Sequence, residues 1–131
     1  MRLTAAFFAN HAEVIDEMLN VKGGCWSSTT VAPGSTRFGC RLVVLCDVIR
    51  QDRGQKFCLR IDAVGPSGQQ WIPAYSSHFT VPERFAFMIT PSIALPIEAG
   101  GGPHVYTVRL DDHDEQIPLP LNVYLGEQAP Q

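Results

Sequence analysis

LTAAFFANHAEVI, residues 3–15, and LNVKGGCW, residues 19–26, decide how this chain folds. Over residues 3–9 both alternating sets of side chains are apolar, which is typical of a β-strand that is covered on both faces. One cover is the core of the domain, and the other is a loop or a second copy of the chain. The pattern therefore predicts a subunit contact that includes Leu3, Ala6 and Phe8.

Residues 10–20 fit two different structures. Asn10 followed three residues later by Glu13 fits the capping box of a helix. Alternatively, the segments 14–15 and 19–21 flank Asp16-Glu17 as the two arms of a tight hairpin. The residues alone leave a short helix and a hairpin open.

The N-terminal pattern also carries a resemblance. Ala-Glu-Val, a turn, and then Leu-Asn-Val-x-Gly-Gly-x-Trp resembles the opening of an uncharacterised family of small bacterial β-proteins catalogued as a domain of unknown function. In that family the turn is usually Gly-Lys, which favours a hairpin, whereas this chain has Glu17-Met18 there. The resemblance implies a β fold and no known activity, so it transfers no functional residues.

Length and composition set the outer limits. The 131 residues fit one domain over 1–125 with a flexible tail over 126–131. The net charge is −3 and the cations are scattered singly, whereas a surface that follows phosphates needs clustered cations, so nucleic acid is not an expected partner. No apolar run reaches the ~20 residues of a membrane helix, and the run at 3–9 is too short for the core of a signal peptide. We therefore expect no membrane span and a cytoplasmic location.

The remainder of the chain predicts strands and turns. Residues 57–63 alternate cleanly between apolar and polar, with Phe57, Leu59 and Ile61 facing inward, and we expect them to form a hairpin with 38–49. Pro73 predicts an edge or bulged strand, and the prolines near the C-terminus predict an edge for the last strand. The predicted fold is all-β, a single-domain two-sheet β-sandwich, immunoglobulin-like or related, with about eight to nine mostly antiparallel strands.

Two further features bear on surfaces and thiols. Val43 and Leu45 form a small apolar island on the outer face of their strand, and we predict that they join the subunit contact. The four cysteines have spacings that match no zinc pattern, and a cytosolic chain keeps its thiols reduced, so structural free thiols are expected.

The sequence specifies no reaction. The four histidines are dispersed and no nucleophile-elbow motif is present, so we predict no catalytic residues, no cofactor and no metal. The favoured function is a non-enzymatic interaction or self-assembly module whose partner is itself or another protein. The alternative is a small-ligand or carbohydrate-binding sandwich that uses Trp26, Trp71 and Tyr75, and it requires at least two of these rings to be exposed and adjacent. An enzyme is the third class of function considered, and the sequence favours it least.

Overall fold

The strands of this chain form two sheets that pack face to face. A computed structural model describes residues 1–81, 87–111 and 113–126. The prediction of an all-β, two-sheet sandwich is confirmed. The strands are β1 Arg2–Ile15, β2 Met18–Gly24, β3 Ser28–Val31, β4 Arg37–Asp47, β5 Lys56–Val64, β6 Gln70–Thr80, β7 Phe87–Ile89, β8 Ile93–Pro96, β9 Gly102–Leu110 and β10 Gln116–Leu125, with one 3₁₀ turn at Arg50–Asp52.

The first sheet has the order β2-β1-β4, with β7 and β8 both pairing with β4. These two short strands lie end to end, because β7 pairs with Val43–Leu45 and β8 pairs with Arg37–Cys40. Between them the Thr90 hydroxyl accepts a hydrogen bond from the Leu42 amide at 2.8 Å. β7 and β8 therefore act as one interrupted edge strand, and the predicted eight to nine strands correspond to nine strand positions.

The second sheet has the order β3-β10-β9-β5-β6. Its pairs are antiparallel except for β3 and β10, which run parallel over Asn122–Leu125. The inward parity predicted for β5 is confirmed, since Leu59 and Ile61 are fully buried and Phe57 packs against the same cluster. Alternation alone was sufficient to orient this strand.

The expected hairpin between 38–49 and 57–63 is wrong. β4 belongs to the first sheet, whereas β5 pairs with β6 and β9 in the second. The 3₁₀ turn at Arg50–Asp52 joins the two, and the Ile49 amide donates to Asp52 Oδ2 at 2.9 Å. The connection therefore carries the chain from one layer to the other.

Aromatic rings link the two sheets through the core. Phe8 of β1 meets Tyr106 of β9 edge to face at 5.7 Å, and Phe38 of β4 contacts both rings. The Tyr106 hydroxyl donates to the Pro96 carbonyl at 2.8 Å, so its one polar atom is satisfied inside the core. Burial raises the pKa of Tyr106, which keeps the hydroxyl protonated as a donor. Phe8 and Tyr106 thus hold the layers in register.

Residues 10–20 form a hairpin. β1 continues antiparallel to β2 as far as the Ile15–Met18 pair, and the two intervening residues, Asp16 and Glu17, have φ of 52° and 63°. Positive φ at both central residues defines the type I′ turn of a two-residue hairpin, which matches the twist of its strands. The capping-box alternative is therefore excluded.

The proline predictions hold in part. Pro73 lies on β6, which among the described strands pairs only with β5 and whose register shifts beside it, so this strand is both an edge and bulged. β10 is not an edge along its whole length, because β3 covers Asn122–Leu125. Pro118 and Pro120 lie in the half of β10 whose described partner is β9. Only the proline half of the last strand is therefore an edge, and of the predicted tail only Gly126 lies within the described residues.

Candidate functional site

Three of the five predicted interface residues belong to the core between the sheets. Leu3 and Phe8 are 6% and 1% exposed, and Ala6 packs against the same cluster. Their side chains face the second sheet, so they are not available to another folded chain. The prediction of a subunit contact through these three residues is therefore wrong, because the second sheet of the same chain covers their side chains.

The other two predicted residues lie on the opposite face of the first sheet. Val43 is fully buried, so it too is unavailable to a second chain, whereas Leu45 is half-buried; both belong to a second apolar cluster. This cluster lies outside the inter-sheet core. Its members, which we call the outer cluster, are Phe7, Ala9, Ala12, Leu19, Val21, Val43 and Leu45.

The three aromatic candidates for ligand binding are half-buried and pack against the main core. Trp26 lies 6.1 Å from Phe8, and its indole Nε1 donates to the Gly23 carbonyl at 2.6 Å. Trp71 stacks on the buried His104 at 6.5 Å. Tyr75 pairs with Ile61 on the inward face of β6. The rings face the core, which differs from the exposed platform that carbohydrate stacking requires.

Polar groups near the end of the second sheet serve structural bonds. The Glu98 carboxylate accepts a hydrogen bond from the Ser67 amide at 2.9 Å, and bonds from Ser67 hold the pKa of Glu98 below its usual range. The Glu98 amide donates to His104 Nε2 at 3.0 Å, so the other ring nitrogen carries the proton that bonds the Gly102 carbonyl at 2.9 Å. Both ring nitrogens of this buried histidine form hydrogen bonds within the protein, so neither is available to a bound molecule.

The charged residues on the outer face of the second sheet neutralise one another. Asp62 lies between two cations, 2.9 Å from Arg60 Nε and 3.2 Å from Arg109 Nε. Arg60 also lies 3.6 Å from Asp111, and its hydrogen bond with Asp62 raises its pKa. Each of these side chains except Asp111 is about a quarter exposed or less. The arrangement is a compensated surface network, as expected for cross-strand ion pairs.

The four cysteines are free thiols. Burial raises the pKa of Cys40 to about 12 and that of Cys46 to about 11, so both are protonated at neutral pH and poor nucleophiles. Among the described residues there is no cluster of three or more His, Cys, Asp or Glu side chains that could hold a metal ion. A cleft lined by Met1, Leu3, Leu110, His113 and Glu115 has about 10 Å³ of room, roughly one water molecule.

The N-terminal hairpin projects beyond the rest of the first sheet. The pairing of β1 with β4 ends at Ala9, whereas its pairing with β2 continues to Ile15. We call residues 10–24 the arm. Two-stranded ribbons are marginally stable alone in water, so a projecting ribbon is stabilised when something else packs on it.

The arm presents apolar side chains to solvent. Val14 is 54% exposed, Ile15 46% and Met18 65%. Sequence reasoning missed these three residues, although their apolar side chains flank the turn at Asp16. The missing information was the length of the arm, which depends on where β4 stops pairing with β1.

The apolar face of the arm continues into the outer cluster. Ala9 and Ala12 both belong to that cluster although they are three residues apart, so the alternation of β1 changes phase between them. Opposite this point Gly23 has φ of 59°, a left-handed conformation. Leu19 and Val21 of β2 belong to the same cluster. The change of phase turns Ala12 and Val14, with their partners Val21 and Leu19, to the outside of the sandwich, whereas the Ile15–Met18 pair lies on the opposite face of the arm.

The edge of β2 differs from the other sheet edges in the described residues. β3 has four residues, β6 contains Pro73 and a register shift, and β7 and β8 are short and interrupted. Short, irregular or proline-containing edges discourage pairing with another chain. From Met18 to Lys22 the edge of β2 is extended and contains no proline, and the only charged residue of this strand is Lys22. This edge is the one best suited to accept a further strand.

Comparisons with known proteins give no functional guide. No protein-family model matches the sequence, and no curated protein matches it. The resemblance to a family of unknown function therefore stays a prediction. The described residues contain no helix that is long and apolar enough to cross a bilayer.

Proposed function

We propose that this protein is a non-enzymatic interaction module that associates with itself through the arm. The observation that carries the proposal is the projecting hairpin of residues 10–24, on whose outer face the exposed Val14 lies beside the half-buried Leu19 and Val21 of the outer cluster, along an edge strand without proline. Exposed apolar surface that forms one contiguous patch is characteristic of interaction sites. Self-association also agrees with the apolar excess of the composition, 45% hydrophobic against 18% charged residues.

Two side chains of the arm are central to this contact. Leu19 and Val21 are half-buried, lie on the apolar face and stand on the open edge strand β2. Apolar cross-strand pairs contribute roughly 0.2–1 kcal/mol each. A pair between Leu19 and Val21 that forms twice across a symmetric dimer contributes about 0.4–2 kcal/mol, which changes an association constant by about two- to thirtyfold.

A pair of double variants tests the proposal. The double variant Leu19→Ser, Val21→Ser lacks the apolar contact of the arm. We expect the molar mass of this variant, measured by light scattering, to be the 14.4 kDa of one chain. The matched control is Val64→Ser with Val105→Ser, an exposed cross-strand pair on the outer face of the second sheet, 39% and 40% exposed. The control should keep the mass of the unaltered protein. Equal masses for the two double variants, both well folded by circular dichroism, would contradict a role for the arm.

A further inference from the structure

The turn fixes which backbone groups of β2 point away from β1. In a two-residue type I′ hairpin the residues flanking the turn, Ile15 and Met18, form a hydrogen-bonded pair. Because hydrogen-bonded and non-hydrogen-bonded pairs alternate, Asn20 and Lys22 also bond to β1. The N–H and C=O groups of Leu19 and Val21 therefore point outward, along the edge of the sheet.

Two copies of this edge can meet about a two-fold axis in few registers. An axis at Val21 sets Leu19 against Gly23, whose φ of 59° takes its backbone out of the extended strand. An axis at Leu19 sets Val21 against Glu17 in the turn. An axis at Asn20 sets Leu19 of each copy against Val21 of the other, so that each pair exchanges two N–H···O bonds. Only this last register uses all the outward groups of Leu19 and Val21 within regular strand.

The side chains favour the same register. With the axis at Asn20, the apolar Leu19 and Val21 of the two copies become neighbours on one face. On the other face the uncharged Asn20 meets its own copy, and Lys22 lies opposite Met18. Lys22 is then next to the turn of the second copy's hairpin, which carries the exposed Asp16, an opposite charge. The register therefore brings no like charges together.

We propose that two copies of the chain pair edge to edge through β2, antiparallel, with the two-fold axis at Asn20. The first sheets then join into one sheet with the order β4-β1-β2-β2-β1-β4 across the dimer. This arrangement is isologous, since the same strand contributes from both copies, and it closes at two subunits. The proposal rests on the proposed self-association and names its geometry.

Engineered cysteines report the register directly. Asn20 would stand in a non-hydrogen-bonded pair with its copy, with Cα atoms about 4.5 Å apart, which falls in the roughly 4.4–6.8 Å range of disulfides. Lys22 would lie about 14 Å from its copy, four residues along the strand. In a Cys25→Ser background, which removes the exposed native thiol, Asn20→Cys should cross-link between chains about tenfold faster than Lys22→Cys under oxidised glutathione.

The outcomes separate the two proposals. The register is supported if Asn20→Cys cross-links fast and Lys22→Cys alone cross-links little. It also requires a disulfide between chains when Met18→Cys and Lys22→Cys proteins are mixed. Equal cross-linking of Asn20→Cys and Lys22→Cys indicates random collision and overturns it. If Cys25→Ser protein is dimeric by light scattering but Asn20→Cys does not cross-link, the register is wrong and self-association stands. If Cys25→Ser protein is a monomer at every concentration, both proposals fail.

Discussion

Phe8→Asp is expected to abolish folding. The Phe8 ring is 1% exposed and contacts Trp26, Phe38 and Tyr106, so it fills the centre of the aromatic core. Removing a buried phenylalanine costs about 3–5 kcal/mol, and an unpaired buried carboxylate adds a further penalty. Domains of this size have roughly 5–15 kcal/mol of stability in total. We therefore expect an insoluble protein, or a soluble one without a cooperative thermal transition by circular dichroism.

Phe7→Asp is the matched control for this variant. Phe7 is the adjacent residue on the same strand, but it is half-buried in the outer cluster and faces away from the second sheet. Its variant should fold with a lowered melting temperature. A soluble Phe8→Asp protein that melts like the unaltered chain would contradict the assignment of Phe8 to the core. So would a Phe7→Asp variant that loses its fold while Phe8→Asp retains it.

Gly23→Val has the second-largest expected effect. Gly23 has φ of 59°, which β-branched residues avoid, and a Cβ atom there would collide with the Asn10 side chain on the opposite strand. A residue held in such a conformation costs about 1–3 kcal/mol. The melting temperature should fall by several degrees, measured by circular dichroism.

Gly39→Val provides the comparison for this second variant. Gly39 lies in β4 with an exposed surface, and a Cβ atom there would meet nothing within 4 Å. β-branched residues favour strands, so this variant should melt at or above the temperature of the unaltered protein. A Gly23→Val protein as stable as Gly39→Val would show that the left-handed backbone at Gly23 is not required.

The sequence was informative where burial alternates. Phe57, Leu59 and Ile61 follow period-two alternation, and because one face of β5 is buried by the opposite sheet, the pattern alone gave their orientation. Pro73 likewise indicated an edge, since proline lacks the N–H that a central strand donates. These features depend on the types of neighbouring residues, which are known directly from the sequence.

The sequence was misleading where the answer depended on distant partners. Phe8 and the Val43/Leu45 pair were assigned to one interface, but they lie on opposite faces of the first sheet because β1 and β4 pair side by side. The turn after β4 suggested a hairpin, yet the chain crosses to the other sheet there. Neither outcome is encoded by alternation, because both depend on which strands come together in space.

The candidate site could be predicted only in part. The motif at residues 19–26 contains the Gly23-Gly24 pair, but the sequence does not say which of the two glycines adopts an unusual backbone. The conformation that favours glycine is at Gly23, since positive φ is recorded there and not at Gly24. The exposure of Val14, Ile15 and Met18 could not be deduced from their apolar character, which is equally typical of core residues.

The central claim is that β2 is the contact strand between copies, and amide hydrogen exchange tests it most directly. The amides of Leu19 and Val21 point to the open edge, so in a monomer they exchange freely, whereas in the dimer each donates to the other copy. Raising the protein concentration should slow exchange at these two amides and leave the edge strand β6 unchanged. Exchange at Leu19 and Val21 that stays fast at every concentration, while the molar mass rises, would contradict the account.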